Sequence, residues 1–501
     1  MPFVTDLRDA LKDIQLFAEF GARVKLRSYQ REIAAAICDS VRHNQGLTFV
    51  VMLPRQSGKN ELQAHLESWL MLIWSLCKPK EIVKVSPTWK PQSQNAMRRL
   101  ERILSRNVFT KSKWVKESGY IYRIGNSRIY FFSGAPTSNI VGATASLLLE
   151  CDEAQDVEIS KWDRDVAPMA ASTNATRVFW GTAWTSTTLL ARELRAARRA
   201  QEQDGIQRVF IRNGFDVGAE VPSYLKHVEE QIARLGRQHP MVKTQYFSEE
   251  IDAEGSMFPP ARRALLWGDH LPHTEPHHRT MYVFTIDVAG EDEGATADLE
   301  RMDNPKRDST VLTIFEVEAR DEDPHRPRYL VAERYVWTGI KHTALFPRLR
   351  AITESWKPRL VVIDATGIGS GMSTYFEGFL PGQVIPFIFT SASKSKLGWD
   401  FIALIETGRY KEPRWEAHDP RRTMLIDQMD ACAYEVLEGP GKLLRWGAPD
   451  GARDPRTGEY QHDDVIMSAA LVTTLDEQVW GDARSRTAST YDPLARENLT
   501  W

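Results

Sequence analysis

The chain has 501 residues, 42% of them hydrophobic and 26% charged, and at roughly 150 residues per domain that length suits two to four domains. Its 64 Lys and Arg against 67 Asp and Glu leave a formal net charge of −3, which excludes a protein that holds nucleic acid by bulk positive charge. Mean hydropathy is −0.40, and no run approaches the ~18 apolar residues of a membrane span. The start, Met1-Pro2-Phe3-Val4-Thr5-Asp6, lacks a basic stretch followed by an apolar one, so no secretion signal is expected. Cys38, Cys77, Cys151 and Cys432 are scattered without a CxxC pair, as expected of a soluble protein in a reducing cytoplasm.

In chain order, Gln30 to Val41 has helical spacing, and Gly46 to Leu53 is β-branched and apolar like a buried parallel strand. A helix is expected over Lys59 to Cys77, a strand over Ile82 to Val85, and a helix from about Gln92 to Leu104. Ile129 to Phe132, Ser146 to Cys151 and Arg177 to Trp180 read as further buried strands. Leu189 to Gln203 and Ser223 to Glu250 read as helices. This alternation predicts an α/β fold with a mostly parallel sheet, whose functional loops lie at the carboxyl ends of the strands. The pattern breaks near Ile251 to Pro260, and 256–280 is expected to be a linker between a first domain over 1–255 and a second over 281–480.

The second domain opens with strands at Tyr282 to Val288, Thr310 to Val317 and Arg328 to Glu333, an antiparallel meander. A helix over Leu345 to Glu354, a strand over Leu360 to Ile363 and a late helix over His462 to Leu475 follow, and 481–501 is expected to be a polar, mobile tail.

Two constellations carry chemistry. Leu53-Pro54-Arg55-Gln56-Ser57-Gly58-Lys59-Asn60 follows an apolar strand and opens a helix, the setting of a phosphate-binding (Walker A) loop. Gly58 admits the phosphates, helix N-terminal amides face them, and Lys59 places a charge on the β/γ-phosphates. The pattern departs from G-x-x-x-x-G-K-[ST] at Leu53 and Asn60; Asn60 can still offer a carbonyl oxygen to Mg²⁺. Leu147-Leu148-Leu149-Glu150-Cys151-Asp152-Glu153 is an apolar strand ending in two acids, Asp152 to hold the water shell of Mg²⁺ and Glu153 to polarise the attacking water. Together they predict ATP binding. Tyr29 and Gln30 are candidates for adenine recognition, Thr182 for sensing the γ-phosphate, and Arg55 for stabilising charge on the transferred phosphoryl group. The Arg-rich helix, with Arg192, Arg195, Arg198 and Arg199, is read as a nucleotide or DNA contact or as a solvated face.

The second constellation is acidic. Asp287 and Asp364 end strands, Asp463 and Asp464 begin a helix, and Asp308 is a further candidate. Such carboxylates meeting at one point suit two Mg²⁺ or Mn²⁺ ions that activate water and stabilise a leaving oxygen in phosphodiester cleavage. The twelve histidines, His277 and His278 included, show no metal-ligand spacing.

In this order, PRQSGKN, LLLECDEA, the GTA turn, TIDVAG, VVIDATGIG and HDDVIMSAAL resemble the large terminase subunit of tailed bacteriophages over roughly Leu26 to Leu475. The resemblance implies an additional-strand P-loop ATPase joined to an RNase H-like nuclease, which pumps double-stranded DNA into a procapsid and cuts concatemers. It implies the loop and acidic roles for Lys59, Asp152 and Glu153, a coupling role for Thr182, and nuclease ligation by Asp287, Asp364 and Asp464 with Asp463 adjacent. It also implies a portal protein and a small terminase subunit as partners, a homo-oligomeric ring on the portal, and work in the host cytoplasm. Where many members carry an Arg before a Gly upstream of the acidic strand, this chain has Ile140-Val141-Gly142, which puts a trans arginine finger there in doubt. The other reading of the same sites is a helicase-like ATPase-nuclease of DNA repair or restriction.

Overall fold

The computed structural model describes residues 11–140, 142–252, 254–289, 309–318, 326–367, 369–437, 442–449, 451–453, 458, 460–478 and 480. Asp308, Val141 and the tail 481–501 lie outside the described residues. The chain divides into two compact units: Met1–Gly255 with Val436–Lys442, and Ser256–Glu435 with Leu443–Trp501.

In the first unit the strands are β1 (Thr48–Met52), β2 (Lys80–Ser86), β3 (Trp114–Ser118), β4 (Ile121–Ile124), β5 (Ser127–Ser133), β6 (Leu148–Cys151), β7 (Thr176–Gly181) and β8 (Val209–Ile211), five of them (β1, β2, β5, β6 and β7) on the expected apolar runs. They form one sheet in the order β3-β4-β5-β2-β6-β7-β1-β8. The pairs among β5, β2, β6, β7, β1 and β8 are all parallel, and β3 and β4 extend the β5 edge by antiparallel pairing. Strand β7 lies between β1, which delivers the loop, and β6, which delivers the acids. The loop strand and the acid strand are therefore about 9–10 Å apart.

The stretch Ser223 to Glu250, expected as one helix, is two, Pro222–Leu235 and Pro240–Phe247, because Gly236 and Pro240 interrupt it. The segment 256–280 carries the helix Pro260–Leu266 and clusters with the second unit.

Helix Lys59–Ile73 carries a buried polar row at four-residue spacing, Lys59, Gln63 and Glu67. The Lys84 ammonium on β2 donates to Gln63 Oε1 and Glu67 Oε1, both at 2.6 Å, and Gln63 Nε2 donates to Asp152 Oδ1 at 3.0 Å. Glu150 on β6 accepts from the Trp180 indole at 2.9 Å. Burial disfavours the charged ammonium, yet Glu67, Glu150 and Asp152 outweigh it and hold Lys84 above the ordinary lysine range. Burial and the neighbouring Glu67 push Glu150 well up.

Past a short strand, β9 (Glu254–Ser256), the second unit is built on β10 (Tyr282–Asp287), β11 (Ser309–Glu318), β12 (Arg328–Thr338), β13 (Leu360–Asp364), β14 (Val384–Phe387) and β15 (Tyr410–Lys411). Their order is β14-β13-β10-β11-β12-β15. The first three form the expected antiparallel meander, while β13 runs parallel to β10 and β14 parallel to β13. Counting from β10, the five strands from β12 to β14 read 3-2-1-4-5, the RNase H-like arrangement, with β15 added outside β12. A buried ion pair ties the far edge: Arg334 Nη2 lies 2.8 Å from Glu412 Oε1 with neither side chain exposed. Among the described residues no helix is long and apolar enough to cross a membrane.

Removing one partner of a buried ion pair leaves the other charge uncompensated, at a cost of about 3–5 kcal/mol. Lys84→Met is therefore expected to lower unfolding stability by about that amount in urea denaturation, with Glu67→Gln falling less because its amide still accepts from Lys84.

Candidate functional site

The loop between β1 and helix Lys59–Ile73 is shaped by two left-handed residues, Gln56 at φ 61° and Gly58 at φ 89°. A side chain at Gly58 would be strained by that φ, and its Cβ would stand 2.7 Å from Gln30 Nε2. Tyr29 and Gln30 brace this turn. The Tyr29 hydroxyl donates to the Ser57 carbonyl at 2.5 Å, Gln30 Nε2 donates to the Gly58 carbonyl at 3.1 Å, and Gln30 Oε1 accepts from the Arg27 amide at 2.9 Å. Arg27 adds a second donor to the Ser57 carbonyl at 2.6 Å. Leu53, at the position of the first glycine of the usual pattern, is fully buried.

A cavity of about 360 Å³ is lined by Pro54, Arg55, Gln56, Gly58, Lys59, Asn60, Arg99, Glu153 and Thr182. Lys59 Nζ lies 2.8 Å from Glu153 Oε1, so the loop lysine and the strand-end acid converge across the intervening β7. Glu153 itself has φ 47°, an uncommon backbone for a residue with a Cβ. Burial alone would raise its carboxyl, but Lys59 and hydrogen bonds from Lys59 and Gln155 hold it below the ordinary glutamate range. Asp152 is buried beside it with Oδ1 on Gln63. Ser57 Oγ is buried with no hydrogen-bond partner among the described residues, an orphaned donor of the kind that fits a phosphate oxygen.

Three residues here escaped the sequence reading. Gln155 Nε2 donates to Glu153 Oε2 at 2.8 Å, and Gln155 Oε1 accepts from the Thr182 amide at 3.2 Å, so one side chain ties the acid to the turn after β7. A Cβ on Gly181 would stand 2.4 Å from that Oε1, which accounts for the glycine. Arg99 reaches the cavity from helix Gln94–Arg106, its Nη1 3.3 Å from Glu61 Oε2. Lys442 lies 3.7 Å from Asp156 Oδ1 and 4.1 Å from the Trp184 ring centroid. No local pattern marks these three, because each arrives from an element remote in sequence or sits one residue past the motif.

Arg55 keeps its cavity position, with Nη1 on Gln245 Oε1 at 3.3 Å. On the Arg-rich helix, Arg192 is held by Asp163 at 2.7 and 2.8 Å, and Arg195 donates to the Ser186 carbonyl at 3.0 Å. Ile140 is buried and Gly142 has φ 105°.

In the second unit Asp287 and Asp364 each stand one step beyond the last paired residues of adjacent parallel strands, Ile286 and Ile363. Paired residues of a parallel ladder share a face, so the two carboxylates leave the sheet on the same side about 5 Å apart at the backbone. Helix Asp464–Ala470 covers that face: Ser468 Oγ bonds the Thr285 carbonyl at 3.2 Å and Thr313 Oγ1 at 2.9 Å. One helical turn back from Ser468 is Asp464, whose Oδ2 accepts from the Ser309 amide at 2.7 Å, at the same end of the sheet as Asp287. Asp463 turns elsewhere: its Oδ2 accepts from the Ala448 amide at 3.0 Å, and a Cβ on Gly447 would stand 2.2 Å from it. Burial raises the Asp364 carboxyl despite opposing hydrogen bonds from Thr366. The oxygen donors of Asp287, Asp364 and Asp464 are of the type that suits Mg²⁺ or Mn²⁺, but among the described residues their carboxylate atoms do not all lie within 4.8 Å of one another.

No family model matches this chain. No curated protein matches it either. Solved structures do. The chain is similar to the large terminase of bacteriophage HK97, at 12% identity and a TM-score of 0.42, over 92% of this chain and 99% of that one. It is similar to the large terminase of the thermophilic bacteriophage D6E, at 11% identity and a TM-score of 0.44, over 90% of this chain and 99% of that one. The large terminase nuclease of the thermophilic phage G20c with bound magnesium is similar to 44% of this chain over 96% of its own, at 18% identity and a TM-score of 0.31.

Proposed function

We propose that this chain is an ATP-driven DNA-packaging motor that carries its own endonuclease. The supporting observation is that one polypeptide holds two separate phosphate-directed sites. In the first unit the Lys59–Glu153 pair lines a cavity with the loop residues. In the second, Asp287 and Asp364 end neighbouring parallel strands under the helix that begins at Asp464. The ordered motifs that resemble large terminases agree with this pairing.

In the ATPase, Gln56, Ser57, Gly58 and Lys59 hold the phosphates, with Asn60 and Asp152 on the Mg²⁺ side. Glu153 orients the attacking water, and its charge is available at neutral pH because its carboxyl is held low. When phosphate oxygens engage Lys59, Glu153 gives up that partner and keeps Gln155. The Gln155 bridge then reports the change to Thr182 and the turn after β7. Arg55 and Arg99 are the cations of the same chain placed to stabilise charge on the transferred phosphoryl group.

In the nuclease, Asp287, Asp364 and Asp464 would hold one or two Mg²⁺ or Mn²⁺ ions, which would supply an activated water and neutralise the leaving oxygen. Asp463 orients the loop at Ala448 and supports its neighbour. The substrate is double-stranded DNA, held through its phosphates and therefore weakened by salt. The partners are a procapsid portal and a small terminase subunit, on which several copies work as a ring in the host cytoplasm.

Lys59→Ala and Glu153→Gln are each expected to cut ATP turnover by about a hundredfold or more. Turnover at the wild-type rate in both would remove the motor reading. Arg99→Ala is expected to cost about a hundredfold in turnover with little change in nucleotide affinity, measured alongside Arg55→Ala. Asp287→Ala or Asp364→Ala is expected to abolish Mn²⁺-dependent plasmid cutting while ATP turnover persists. Duplex translocation without strand separation separates this reading from a helicase-like enzyme.

A further inference from the structure

Two histidines before β10, four residues apart, meet a glutamate from β11. His273, His277 and Glu316 each offer one ligand atom, and these atoms all lie within 4.8 Å of one another. We propose that these three residues form a binding site for a single transition-metal dication of the Zn²⁺ class, separate from the aspartates that end β10 and β13.

The placement follows from the fold. Glu316 pairs directly with Tyr282 across the antiparallel β10–β11 ladder. Tyr282 opens β10 and Asp287 closes it, so the histidine site and the aspartates lie at opposite ends of that strand, about 16 Å apart. The Tyr282 hydroxyl organises the histidines: it accepts from the His277 amide at 2.9 Å and lies 3.1 Å from His273 Nε2. The His273 amide donates to the Ala332 carbonyl at 3.1 Å, fixing that residue's backbone over the sheet. Trp356 packs on His273 at 5.6 Å and edge-on against Tyr282 at 4.9 Å, giving the cluster an apolar wall. Ligand orientation by hydrogen bonds and an apolar flank are the usual supports of a histidine metal site.

The donor set decides the metal. Two imidazole nitrogens and one carboxylate suit a borderline ion such as Zn²⁺, whereas Mg²⁺ takes oxygen ligands. Around a tetrahedral ion with bonds of about 2.0–2.1 Å the ligand atoms stand roughly 3.3 Å apart. The three donors therefore close by at most about 1.5 Å. The imidazoles now lie stacked, 3.9 Å between centroids and 12° between planes, so one ring has to turn before both in-plane lone pairs face one ion. His277 is exposed and has room to do so, while His273 and Glu316 are half-buried. A water completes the four ligands. Bound there, the ion pins the connection ahead of β10 onto the start of that strand.

The test uses the full chain carrying Asp287→Ala and Asp364→Ala, which removes the aspartates as competing ligands. Zn²⁺ is titrated against a chromogenic chelator in excess Mg²⁺. One equivalent is expected to bind, and replacing it with Co²⁺ is expected to give the visible bands of a four-coordinate ion. Adding His277→Ala, or separately Glu316→Gln, is expected to weaken that equivalent at least about tenfold, while circular dichroism reports an unchanged fold. His277 is exposed, so its loss leaves the core intact. Absence of a Zn²⁺ equivalent in the parent chain, or an equivalent whose affinity survives both substitutions, overturns the proposal.

Discussion

Charge placed at the carboxyl end of a parallel strand is the constraint on which both candidate sites depend. Strands β1, β6 and β7 end in the phosphate loop, in Asp152-Glu153 and in Gly181-Thr182, and β10 and β13 end in Asp287 and Asp364. A parallel sheet is buried on both faces, so its strands must be almost wholly apolar. Polar atoms can leave the backbone without a desolvation cost only where the strand stops. Both sites draw on residues at or just past the ends of such strands: Asp152 and Glu153 follow β6, Thr182 follows β7, and Asp287 and Asp364 close β10 and β13.

In the first unit this arrangement needs support, because Asp152 and Glu153 stand beside other buried charge. Lys84 answers Glu67 from inside the sheet, Gln63 passes a hydrogen bond from that pair to Asp152, and Trp180 takes one oxygen of Glu150. Helix Lys59–Ile73 thus serves twice, with Lys59 on Glu153, Gln63 between Lys84 and Asp152, and Glu67 on Lys84. The acid and the loop are one electrostatic unit rather than two motifs that happen to face each other.

Most elements that deliver the sites were legible because apolar periodicity is a strong signal where both faces of a strand are buried. The β1, β2, β5, β6, β7, β10, β11 and β13 strands all sit within the expected runs or extend them by a residue or two. Weak signals were missed for physical reasons. Strand β3 is an exposed edge whose Lys, Glu and Ser carry no apolar run, β4 is only four residues long, and β8 three. Ser223 to Glu250 kept helical composition across a break that Gly236 and Pro240 make in the backbone. At the sites, residue types at strand ends could be read, but partners from other elements could not. Gln155 lies two residues past Glu153, yet only the fold shows its amide spanning to Thr182. Tyr29 and Gln30 preceded the loop as expected, but their polar ends are bonded to the loop backbone.

Asp463 and Asp464 show how far adjacency in sequence can mislead and how the local backbone resolves it. At the start of a helix, consecutive side chains diverge by about 100° because 3.6 residues make a turn. Asp464 enters the helix and bears on Ser309 at the sheet end, while Asp463, at φ −131° just outside it, bears on Ala448 instead. The same helix is anchored one turn later by Ser468 to Thr285 and Thr313. Its rotation about its own axis is thereby set, and with it the contact of Asp464 with the Ser309 amide.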